Sequence, residues 1–143
     1  MPTKEMQGEF DYVLMELGVL HYFITLEPLM GLIKDMLALD GRFILHEFHP
    51  ISTKLITSAG KKHKVTGNYF APELTYQSVA FSKHMPDGMQ EELVQTVQRK
   101  WTMGELVTSV AAAGLRIEML EEEPNHKLHD IGLPKTYTLV AGK

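Results

Sequence analysis

The sequence contains no cysteine. That excludes disulfides, thiolate metal sites and a cysteine nucleophile, and it fits a reducing compartment. No apolar run approaches the roughly 18 residues of a membrane span. The first ten residues carry Lys4, Glu5 and Glu9 and hold no apolar stretch of signal-peptide length. The expectation is a cytoplasmic protein with no membrane partner. Positive charge is also short: 14 Lys and Arg stand against 18 Asp and Glu, for a net charge of -4. A chain of that balance lacks the basic field that nucleic-acid binding needs. Its one dense basic cluster, Lys61, Lys62, His63 and Lys64, is a local patch. No serine stands in a G-x-S-x-G context, so a Ser/His/Asp triad has no support. No G-x-G-x-x-G turn occurs either.

What is present is ordinary for a globular protein. Hydrophobic residues make up 44% and charged residues 22% of 143 positions, enough for one domain with a real core. Phe10 to Leu17 is a nearly continuous apolar run and reads as a strand buried on both faces of a parallel sheet. Gly18 breaks it. Leu29, Leu32, Ile33, Met36 and Leu37 then recur at helical spacing. Pro28 suits the first turn and Gly41 the stop. Phe43 to Leu45 follows as a second buried strand. Strand, helix and strand form a crossover unit between parallel strands.

The middle of the chain changes texture. Ile51, Leu55 and Ile56 suggest a short amphipathic helix. Thr75–His84 and Glu92–Trp101 look extended, with the turn signal Pro86-Asp87-Gly88 between them. This predicts an antiparallel hairpin inserted over one end of the sheet, within a region spanning 49–101. The hairpin's aromatic residues read either as its own core or as an apolar wall for a small acceptor. Thr102 and Glu105 are spaced as a capping box. Leu106, Val107, Val110 and Ala111 give the following helix its apolar face, and Gly114 ends it. Arg116–Leu120 reads as a third strand of the parallel type, and Tyr137–Ala141 as a last strand. An acidic loop, Glu121–Lys135, joins the two, and its Glu121-Glu122-Glu123 run reads as a solvated face. The expected fold class is α/β.

In α/β sheets ligands sit beyond the carboxyl ends of the strands. Two segments therefore matter: Glu16–Tyr22 and Glu47–Pro50. His46-Glu47-Phe48-His49 is not H-E-x-x-H, and a strand turns His46 and His49 to opposite faces. No metal is expected. His49 sits just past the strand end, where an imidazole could accept a proton near neutral pH or simply be a loop histidine.

The run FDYVLMELGVLHYF, the helix, and LALDGRFILHEFHP together resemble class I S-adenosylmethionine-dependent methyltransferases. The Phe10-Asp11 strand start, the Gly18–His21 turn and the helix end at Ala38-Leu39-Asp40-Gly41 carry the likeness. WTMGEL and AAAGLRI, from Trp101 to Ile117, are similar to the family's late helix and strand. Asp40 departs from the usual proline or glycine. The family's glycine-rich donor turn has no counterpart, so the chain resembles the C-terminal half of the family's sheet, from the fourth strand on. A natural split, a truncated gene and a mis-called start are all compatible with that pattern.

The resemblance implies a partial Rossmann-like sheet in a single domain, 1–143. It implies S-adenosylmethionine as cofactor, held partly by Glu16, Leu17 and His21, with weak or no binding by this chain alone. His49 and the hairpin would face a small-molecule acceptor. It also implies an unpaired edge on the first strand, closed by a homodimer or by a separate chain supplying the missing half. A non-catalytic fragment acting as an oligomerising or partner-binding module is the alternative.

Overall fold

A computed structural model describes residues 4–78, 84, 95–126 and 132–143. Strand β1 (Phe10–Met15) leads through a turn to helix α1 (Glu27–Met36), and strand β2 (Leu37–Phe48) returns parallel to β1. This is the crossover unit that the hydrophobic spacing predicts. Two details differ. β1 is not buried on both faces: Tyr12 is 69% and Leu14 57% exposed. The reason is that both helices pack on the other face of the sheet, and among the described residues no helix covers the face that Tyr12 and Leu14 share. Only Val13 and Met15, on the alternate face, turn toward the core. Gly41 does not end the helix. α1 stops at Met36, and Gly41 lies inside β2, where an added Cβ would come within 2.8 Å of the Phe10 carbonyl oxygen. The pairing slips there, between Phe10 and Tyr12 of β1, and glycine lets the two backbones close on each other.

A single π-helical turn, Ile51–Leu55, stands where a short amphipathic helix was expected, and Ile56 already belongs to the next strand. β3 (Ile56–Ala59) and β4 (Lys62–Val65) form a small hairpin that the sequence reading missed. It takes up most of the basic cluster, whose lysines alternate with His63 along β4. β5 (Leu74–Ser78) and β6 (Gln95–Arg99) pair antiparallel. Their expected turn, Pro86-Asp87-Gly88, lies outside the described residues.

Helix α2 (Met103–Ala112) begins with the predicted capping box. The Glu105 amide donates to the Thr102 hydroxyl at 3.1 Å, and the Thr102 amide donates to the Glu105 carboxylate at 3.0 Å. β7 (Arg116–Pro124) and β8 (Pro134–Gly142) complete the main sheet, ordered β1-β2-β8-β7. β7 runs in the direction of β1 and β2, as expected, but its bonded neighbour is the antiparallel β8. The acidic run is not a loop, because Glu121–Glu123 extend β7.

The core lies between one face of the sheet and the two helices. Phe43 and Leu45 of β2 and Leu139 and Ala141 of β8 join Met30 and Ile33 of α1 and Leu106 and Val110 of α2. Each large side chain so buried contributes roughly 1.5–3 kcal/mol. Among the described residues, no helix is long and apolar enough to cross a membrane.

Candidate functional site

Because β1 and β2 are parallel, their carboxyl ends share one edge of the sheet. The segment Glu16–Tyr22 leaves β1 there, and Glu47 to His49 leave β2. Side chains alternate along β2, so Glu47 follows Phe43 and Leu45 into the interior. It is 1% exposed. A carboxylate in that position must find donors, and it finds backbone amides. Gly18 donates to Oε1 at 2.6 Å, Leu20 to Oε2 at 3.2 Å and Phe48 to Oε1 at 2.8 Å. Gly18 has φ +86°, the left-handed conformation that turns its amide at little steric cost. Glu47 therefore ties the turn after β1 to the end of β2.

The turn is held from outside as well. The short helical turn Leu20–Tyr22 packs against β6. The Trp101 indole donates to the Phe23 carbonyl at 3.0 Å, and the Arg99 guanidinium stacks 3.8 Å over the Trp101 ring. The end of the β5/β6 pair thus lies against the Leu20–Phe23 segment. Of the aromatic residues in and near this strand pair, Tyr69 accepts from the Met103 amide at 3.0 Å, and Trp101 is buried. Phe70 and Tyr76 are exposed and make no wall. Phe81 lies outside the described residues.

Glu16 and Leu17 are exposed at the start of the turn, and His21 is half-buried within it. Burial lowers the pKa of His21, and Lys100 and Lys54 lower it further, against the opposing pull of Glu47. Burial, then Glu47 and Tyr69, push the Tyr137 hydroxyl far above its ordinary range, so it stays neutral.

Glu16 and His49 follow strands that end at the same edge, but no hydrogen bond or ion pair joins their side chains. His49 is buried and turned across β8 toward β7. Its Nε2 lies 2.6 Å from Glu122 Oε1, its Nδ1 accepts from the Ile51 amide at 3.1 Å, and its ring meets Tyr137 edge-on. Glu122 is thus not purely a solvated residue. Among the described residues, no group of three His, Asp or Glu could hold a metal ion. His46 bonds Thr138 at 2.9 Å instead. The residue that the sequence reading undervalued is Glu47. Its signal was available, as one acidic residue in phase with Phe43 and Leu45.

No protein-family model and no curated protein matches the chain. Solved structures do. A Listeria monocytogenes protein assigned as an S-adenosylmethionine-dependent methyltransferase superposes with a TM-score of 0.68 at 16% identity, over 96% of this chain and 62% of its own. An S-adenosylmethionine-dependent methyltransferase from Mesorhizobium loti gives 0.67 at 18% identity, over 96% and 63%. The 1,6-didemethyltoxoflavin N1-methyltransferase of Burkholderia thailandensis, solved with its substrate and S-adenosylhomocysteine, gives 0.54 at 21% identity, over 96% and 45%. The fold is therefore an α/β fold of the S-adenosylmethionine-dependent methyltransferase type. The chain spans less than two thirds of the length of these structures.

Proposed function

We propose that this chain forms the later-strand part of an S-adenosylmethionine-dependent methyltransferase acting on a small molecule. The observation that carries the reading is the Glu47 carboxylate, which fixes the Gly18–Leu20 turn at the carboxyl edge of two parallel strands. Ligands of α/β sheets bind at that edge, and the fold is of the type seen in S-adenosylmethionine-dependent methyltransferases. Bound there, S-adenosylmethionine supplies an electrophilic methyl group on a sulfonium. The residues present fit its methionine end. Glu16 offers an exposed carboxylate to a cationic group, Leu17 an apolar contact, and His21 a largely neutral imidazole that does not repel it. This sequence offers no glycine-rich turn for the adenosine end.

The protein's contribution is proximity and orientation. In this reading the region 49–101 forms the acceptor side within one domain, and its strand β6 packs against the donor turn. Both His49 nitrogens are engaged by Glu122 and Ile51. This supports a positioning role, in which His49 ties the end of β2 to β7, over proton transfer.

A second reading rests on β1. It carries exposed Tyr12 and Leu14, and its outer edge has no pairing partner among the described residues. An apolar edge of this kind favours strand addition, by a second copy in a homodimer or by a separate chain. The module would then serve association as well as, or in place of, catalysis.

Titration of the 15N-labelled 143-residue chain with S-adenosylhomocysteine tests the first reading. The expected result is a dissociation constant in the millimolar range, since each missing hydrogen bond removes roughly 0.5–1.5 kcal/mol. The shifted amides should cluster in 16–22. No shift in that segment at saturating ligand would overturn the site. Low-micromolar affinity would overturn the claim that the adenosine contacts lie outside this chain.

A further inference from the structure

A cavity of about 360 Å³ opens between the π-helical turn, the 66–75 segment and the residue that follows β6. Its lining includes Lys54, Lys100, Thr53, Asn68, Thr75 and Glu73. Most of its lining residues are polar, unlike the apolar wall that the aromatic residues had suggested. The cavity lies near the donor turn, because Lys100 directly follows β6, the strand packed against Leu20–Tyr22.

The two lysines are held in place by backbone carbonyls. Lys54 Nζ donates to the Ala71 and Lys100 carbonyls, each at 2.9 Å, and Lys100 Nζ donates to the Thr53 carbonyl at 2.8 Å. An ammonium has three protons. Those bonds leave one N–H on Lys54 and two on Lys100 without an acceptor among the described residues. Among the described residues, neither ammonium is ion-paired, although the chain as a whole is acidic. Glu73 is the one carboxylate in the lining, against two ammonium groups. Two fixed cations with unused donors, on a polar cavity near the donor turn, form a recognition element for an oxyanion.

We infer that the acceptor is an anionic small molecule, bearing a carboxylate or phosphate group that Lys54 and Lys100 take up in this cavity. The inference rests on the methyl-transfer reading for the word acceptor, but the anion site stands on its own geometry. Lys54 and Lys100 then set specificity, and they touch the substrate away from the atom that receives the methyl group. Thr53, Asn68 and Thr75 supply neutral hydrogen bonds to the rest of the ligand.

The test is a titration of the 15N-labelled 143-residue chain with succinate, with its neutral isostere succinamide, and with inorganic phosphate. Succinate or phosphate should give saturable shifts at Thr53, Lys54, Asn68 and Lys100. Succinamide should bind roughly tenfold more weakly or not at all. The tighter of the two anions identifies the oxyanion. Lys100→Met should abolish the preference for the charged probe. Lys54→Met should do the same, with circular dichroism as the check that the fold survives losing two ties. Equal binding of succinate and succinamide would overturn the inference, as would anion shifts centred on Lys61–Lys64 or binding unchanged in Lys100→Met. If succinate binds here while S-adenosylhomocysteine leaves residues 16–22 unmoved, the anion site survives and the methyl-transfer reading falls. The opposite pattern removes the anion site alone.

Discussion

Replacing Glu47 by alanine probes the contact on which the site is built. The carboxylate accepts three backbone amides, of which Leu20 is buried and Gly18 and Phe48 are partly so. A fully buried donor left without a partner costs about 1–3 kcal/mol, and the partly buried ones cost less because water reaches them. The gross loss is about 3–5 kcal/mol. Removing a carboxylate from the interior relieves some desolvation, so the net should be about 2–4 kcal/mol. That is a large share of the roughly 5–15 kcal/mol that stabilises a typical domain. Glu47→Gln keeps one acceptor oxygen but presents an amide group to the other donors, and should cost about half as much. Urea denaturation measures both, with the midpoint moving and the slope held. Hydrogen exchange should accelerate at the Gly18 and Leu20 amides more than at the β8 amides. An alanine variant within about 0.5 kcal/mol of the parent would refute the claim that Glu47 holds the turn.

Three further outcomes follow from the same geometry. Burial, helped by Lys100 and Lys54, holds the pKa of His21 below its ordinary 6.5, so the unfolded chain binds the proton more readily. The stability linked to His21 is therefore complete above about pH 6.5 and lost as pH falls toward the lowered folded value. His21→Asn should flatten stability against pH in that window, and an unchanged slope counts against the assignment. Thr102→Ala removes the cap of α2 and should cost about 1 kcal/mol by urea denaturation, whereas a neutral result would mean that the capping box adds nothing. Leu14→Lys places a charge on the exposed face of β1 and should weaken any self-association seen by sedimentation at micromolar concentration. A parent chain that sediments as a monomer at every concentration removes the homodimer.

The elements that the sequence made legible are those whose hydrophobic period or capping chemistry acts locally. The α1 stripe from Leu29 to Met36 and the Thr102/Glu105 box both act within a few residues, and both are present, although Leu37, expected in the stripe, opens β2. The failures were long-range. Burial of Tyr12 and Leu14 depends on what packs on the second face of the sheet, and no local pattern reports that. Gly41 carried a helix-stop signal, but the approach of the Phe10 backbone decided its role. In the site, the strand ends placed Glu16, Leu17, His21 and His49 at one edge. They could not tell that His49 turns toward Glu122 on β7, 73 residues away. Strand alternation could have marked Glu47 as inward, but it could not supply the Gly18 and Leu20 amides. Lys54 and Lys100 meet only through the fold, since 46 residues separate them.

The central claim is that Glu47 shapes the turn that meets the methyl donor. The most direct test is to compare the S-adenosylhomocysteine titration of the parent chain with that of Glu47→Gln, under conditions where both are fully folded. The account predicts shifts in Glu16–Tyr22 for the parent, and at least a several-fold loss of affinity with those shifts scattered or gone in the variant. Equal affinity with the same shifted amides in both proteins would contradict it.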